Sequence, residues 1–169
     1  MKKINTLKIT QTALISAVAL VLSYIEMMIP DMPFVLPGMK LGLSNIATMF
    51  ALTSMSLPSA IVVCIVKAVF ALLMRGFTAF MMSLCGGFLS VLAMYLLLKI
   101  KRVGFVGIGV GGAFCHNLGQ ILVAFAFTDE TVFAYFSVLG LASIVTGTVT
   151  ALAVYIILPK VLSIGLYKS

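Results

Sequence analysis

Between residues 10 and 158 this chain passes through one apolar stretch after another, and charges almost vanish inside the stretches. A membrane-crossing helix needs ~20 apolar residues, with ~17 as the lower limit. The breakers between stretches set the count. They are Pro30, Pro33 and Pro37, then Pro58, Arg75-Gly76, the cluster Lys99, Lys101 and Arg102, Asp129-Glu130, and Pro159-Lys160. Using all of them predicts an all-α polytopic membrane protein, a bundle of six transmembrane helices spanning residues 10–29, 41–56, 59–74, 77–98, 104–127 and 131–158. The second and third spans are the shortest. No hydrophilic linker divides the chain, so residues 1–169 are expected to form a single domain.

Composition agrees. Hydrophobic residues make up 63% of the chain, charged residues only 9%, and the mean hydropathy is +1.27. A soluble domain carries roughly 25% charged residues. The net charge of +7 would suggest nucleic acid if it were clustered on a polar face, but it sits between apolar blocks. It reads as membrane orientation, and no nucleic-acid partner is expected. The basic N-terminus MKKINTLKIT resembles the start of a signal peptide. The apolar run behind it is about 20 residues long with no small-residue cleavage site, so it is expected to stay as the first span. Cys64, Cys85 and Cys115 lie inside apolar blocks without CxxC spacing and read as small helix residues.

Lysine and arginine concentrate in cytoplasmic loops. With the N-terminus inside, the inner segments collect Lys2, Lys3, Lys8, Lys99, Lys101, Arg102, Lys160 and Lys168, leaving Lys40 and Arg75 outside. The acids Glu26, Asp31, Asp129 and Glu130 all fall at outer ends or loops. The expected topology is N-in and C-in, in the cell membrane.

Catalytic signals are missing. No GxxxxGK[ST] phosphate loop is present. One histidine and no acid cluster argue against a hydrolytic metal site, and no aspartate-rich pair could hold magnesium on a prenyl diphosphate. The reading is therefore no catalytic residue, no metal and no cofactor, with transport or binding preferred to an enzyme.

Ionisable groups at membrane depth are the informative exceptions, because each costs several kcal/mol unless paired or wet. Lys67 lies near the middle of the third span and should face the bundle interior or a wet cavity. Lys40 and Arg75 add positive charge to the outer half, with interfacial anchoring as the alternative. In the fifth span His116 and Gln120 share a helix face at i and i+4, with Asn117 beside them. Such groups either tie helices together, at ~0.6–2 kcal/mol each, or read a polar ligand. Thr146, Thr150, Ser44, Asn45 and Thr48 are further polar linings. Gly107, Gly111 and Gly112 give the small-residue spacing that lets a helix approach closely. The apolar stretch 30–40, with its three prolines, is expected to fold over the outer face as a cap. The candidate substrate set is Lys40, Asn45, Lys67, Arg75, His116, Asn117 and Gln120. A small anionic molecule with an apolar body fits it.

Six helices, no ATPase, and Ala13 and Ala17 at AxxxA spacing together resemble the substrate-binding S components of energy-coupling factor (ECF) transporters. More specifically, the stretches Pro37-Gly38-Met39-Lys40-Leu41-Gly42-Leu43-Ser44-Asn45 and His116-Asn117-Leu118-Gly119-Gln120, with Gly86-Gly87 between, resemble the Gx transporter family, also known as heptaprenyl diphosphate synthase component I. The resemblance implies capture of a small molecule from outside. It implies a coupling membrane subunit and an ATPase pair as partners, docking through Ala13 and Ala17, and gating by residues 30–40. The synthase name implies, as the alternative, a non-catalytic membrane subunit associated with isoprenoid diphosphate synthesis.

Overall fold

The computed structural model describes residues 6–29, 42–127 and 135–163. They form six helices: α1 (Thr6–Met28), α2 (Asn45–Ser54), α3 (Leu57–Arg75), α4 (Phe77–Leu98), α5 (Phe105–Phe127) and α6 (Phe136–Ser163). Five of them, all but α2, are long and apolar enough to cross a membrane. The chain is a multi-pass membrane protein.

The exception corrects the expected second span. The helix of α2 has only 10 residues, about 15 Å of axial rise against a hydrocarbon core of ~30 Å. Its depth is nevertheless fixed by two contacts with α1. At one end Glu26 of α1 accepts hydrogen bonds from the backbone N–H groups of Gly42 and Leu43, just ahead of α2. At the other end the Thr12 hydroxyl donates to Ser59, just past the α2–α3 turn, at 3.2 Å. These anchors are 14 residues apart on α1, about 21 Å along its axis. The short helix and its flanking turns therefore return the chain along most of α1, and α3 runs parallel to α1.

Local sequence explains the turns. Ser56 caps α3 by accepting from the Ser59 N–H, and Pro58 occupies the first helical turn, where a missing N–H costs nothing. Between α3 and α4 a single residue, Gly76, reverses the chain at φ +85°, a conformation that side-chain-bearing residues resist. The expected stop at Pro159 is not observed. The proline lies inside α6, and Leu158 and Val161 on either side of it pack against the core. Burial outweighs the one backbone hydrogen bond that proline removes.

Two glycine crossings bring helix backbones into close contact. A Cβ on Gly119 of α5 would stand 2.6 Å from the Cα of Gly86 on α4. A Cβ on Gly147 of α6 would collide with the Val110 backbone on α5, and one on Gly109 would collide with the Gly147 carbonyl oxygen. Gly111 and Gly112 instead make room for Leu97 and Met94 of α4, while a Cβ on Gly107 would meet only Val103 nearby in the chain. The main core gathers Met49, Phe50, Val63, Val91, Met94 and Val154 on one side of these crossings, and a smaller cluster of Met82, Ile121, Ala124 and Leu139 lies on the other.

Candidate functional site

Lys67 is 4% exposed at the centre of α3. Its Nζ donates to Asn45 Oδ1 at 2.9 Å and to Thr48 Oγ1 at 3.4 Å. Both acceptors lie on the first turn of α2, three residues apart and hence on one helix face. The ammonium therefore binds α3 to the head of α2 through hydrogen bonds that its charge strengthens.

The same head is held from the other side by Glu26. Its Oε1 accepts from Gly42 N and from Leu43 N, the latter at 3.3 Å, while Oε2 is buried with no hydrogen-bond partner. Glu26 is 7% exposed. It stands in the last turn of α1, at the helix end where the sequence puts it, and is buried there. The signal for this role in the sequence is weak: Glu26 is the single acid within the first apolar run. In the structure its donor Gly42, at φ +90°, opens the turn into α2.

His116 completes the cluster. A Cβ on Gly86 would approach its Nδ1 to 3.0 Å, and one on Gly42 would approach its Cδ2 to 3.7 Å. The imidazole thus lies between α4 and the head of α2, in space that two glycines leave open. A small cavity of about 10 Å³ lies here, lined by Ser44, Lys67, Ser83, His116 and Gln120 with Ala79 and Met82. That volume holds about one water molecule. Ser83 is a lining residue that sequence reasoning missed, since a lone serine in an apolar span has no distinguishing pattern.

The remaining candidates separate. Asn117, 4% exposed, turns away from the cavity; its Nδ2 donates to Ser143 Oγ at 2.8 Å and to the Leu139 carbonyl at 3.2 Å, joining α5 to α6. The 100° step around the helix from His116 accounts for this. Arg75 is half-buried in the last turn of α3, where a cation complements the helix dipole, and it does not line the cavity. Thr146 bonds the Ala142 carbonyl of its own helix. Lys40 and residues 30–40 lie outside the described residues. Ala13 and Ala17 are both exposed on α1, whereas Ile15 and Ala19 face inward. Among the described residues no group of three or more His, Cys, Asp or Glu side chains could hold a metal ion.

The family described as heptaprenyl diphosphate synthase component I matches residues 15–157. The chain belongs to this family. The matched region runs from the first helix to the last and includes every side chain of the cavity, as well as Glu26. Ala17 falls inside it and Ala13 just outside. No curated protein and no solved structure matches the chain.

The Glu26 contact yields a direct test. Glu26→Ala should destabilise the bundle by ~1–3 kcal/mol, because it strips the acceptor from the buried Gly42 N–H and the half-buried Leu43 N–H. Glu26→Gln, which keeps a carbonyl oxygen in place, should lose clearly less. Thermal unfolding in detergent measures both, and equal losses in the two variants would contradict the assignment.

Proposed function

We propose that this chain is the substrate-capturing membrane subunit of an uptake system organised like the ECF transporters, and that it binds a small anionic molecule. The observation that supports this most is Lys67, a lysine at mid-membrane whose ammonium lines a cavity beside His116, Gln120, Ser44 and Ser83. A bundle that only needed to pack could be apolar there, as burying such a charge costs several kcal/mol. Near an anionic oxygen, the same charge gains more than it would in water, because the surrounding dielectric is low.

On this reading the described conformation is closed, since its cavity has room for about one water. Substrate enters when the head of α2 moves away from α4 and α5. An oxyanion then takes over the Lys67 hydrogen bonds now accepted by Asn45 and Thr48, with His116 and Gln120 contacting the rest of the ligand. Ala13 and Ala17 form the outward docking face for a coupling subunit, their small side chains letting a partner helix approach closely. Lys40 and Arg75 contribute positive charge near the entrance.

The family description favours a second reading, a non-catalytic membrane subunit of an isoprenoid diphosphate synthase. Both readings have the chain working through partners rather than doing chemistry alone. The sequence has four carboxylates in all, only Asp129 and Glu130 adjacent, too few for the paired clusters that hold magnesium on a diphosphate.

The substrate claim is tested with protein purified from its native membrane, by identifying the small molecules released on denaturation. Lys67→Met should lower the yield of the bound anion at least ~10-fold, about 1.4 kcal/mol. Asn117→Ala should lower the melting temperature and leave occupancy of the folded fraction unchanged. Equal occupancy in wild type and Lys67→Met would sink the reading.

Capture from outside also requires the Lys67-bound head of α2 to lie on the outer side, with both chain ends in the cytoplasm. In a variant lacking Cys64, Cys85 and Cys115, a cysteine at Thr78 should react with an impermeant thiol reagent in intact cells. A cysteine at Gly104 should react only after permeabilisation, and the reverse pattern would refute the orientation.

A further inference from the structure

A second cavity lies on the opposite side of α5 from the Lys67 cluster. It is a groove of about 720 Å³ between α4, α5 and α6, lined by Leu96, Leu97, Gly107, Phe114, Cys115 and Gly140 among others, and its walls are almost wholly apolar. From Gly107 to Cys115 it follows α5 for eight residues, about 12 Å. A single leaflet contributes about 15 Å of hydrocarbon, half of the ~30 Å core. The groove thus has the depth of one leaflet.

One end of this groove meets a basic turn. Leu96 and Leu97 stand at the end of α4, immediately before Lys99, Lys101 and Arg102, and Gly107 lies in the first turn of α5 immediately after them. All three basic residues are exposed. Lys99 is drawn back over the Tyr95 ring, at 4.4 Å from its centroid, while Lys101 and Arg102 occupy the loop itself. An apolar slot one leaflet deep, with two cations at the membrane surface beside its mouth, complements one kind of molecule. It has an acyl tail of leaflet length and an anionic phosphate at its head.

We propose that the α4–α5–α6 groove is a specific site for an anionic phospholipid, its tail lying along Leu97, Gly107 and Phe114 and its phosphate held by Lys101 and Arg102. Basic pockets between membrane helices recognise anionic headgroups in this way. The site is separate from the Lys67 cavity, so the proposal stands or falls independently of the capture reading.

The test uses the full chain in detergent, offered an equimolar mixture of phosphatidylglycerol and phosphatidylcholine with matched tails, with retained lipid counted by native mass spectrometry. Wild type should retain phosphatidylglycerol at least ~5-fold over phosphatidylcholine. Lys101→Gln and Arg102→Gln should each reduce that preference by roughly twofold, and the double change should abolish it. These loop changes leave the helices untouched, and an unchanged melting temperature checks that. Gly140→Leu should reduce retention of both lipids, because a Cβ there meets nothing within 4 Å and the side chain extends into the groove. Equal retention of the two lipids by wild type, or a preference that survives in the double loop variant, would overturn the proposal. So would capture of an acidic protein through Lys101 and Arg102 with no lipid preference, which would make the basic turn a protein interface.

Discussion

The Lys67 ammonium is the contact on which the centre of this bundle is organised. Lipid offers no water to solvate it, so α3 can hold that residue at mid-membrane only if other elements bring oxygen to it. Asn45 and Thr48 do so from the first turn of α2, and this places α2. The helix is too short to cross the membrane alone. Its position comes from polar contacts at both ends: Lys67 and Glu26 at its head, and the Thr12–Ser59 bond just beyond its tail. An apolar helix of that length would have far less to fix its depth.

Glycine supplies the room for this polar cluster. The α4–α5 contact at Gly86 and Gly119 brings the two backbones together beside His116, and Gly42 lets the turn ahead of α2 pass the imidazole. Three helices and a turn therefore converge on a space of about 10 Å³. On the far side of α5, Gly109 and Gly147 draw α6 in just as closely, and Asn117 ties the pair through Ser143. One helix thus presents two different polar faces, one toward the Lys67 cavity and one toward α6. The His116-Asn117 neighbours divide between them.

Much of the architecture is legible in the sequence because lipid makes its demands bluntly. Proline, glycine and charge punctuate the apolar runs, and Lys67, His116 and Gln120 stand out as costs that need a reason. What escapes is information held in pairs of distant residues. Whether Asn117 serves a ligand or α6 depends on Ser143 lying 26 positions away. Glu26 looks like an interfacial acid until Gly42, sixteen positions later, turns out to be its donor. The length of α2 escapes for a related reason: residues 41–56 are apolar enough to suggest a span, yet residues 42–44 form a turn whose N–H groups meet Glu26. Pro159 misleads in the opposite sense, because a stop signal yields where the helix beyond it is packed.

Family membership fits a membrane component that works with a partner subunit, and small-molecule capture is the proposal that rests on the polar cavity. The two accounts predict different company. The most direct measurement is purification of the tagged chain from its native membrane in mild detergent, followed by identification of the proteins that remain with it. The capture account predicts a second polytopic membrane protein and a pair of ATPases, all lost when Ala13 and Ala17 are both changed to Leu. Recovery of a soluble prenyltransferase instead, or a complex that survives the double change, would contradict it.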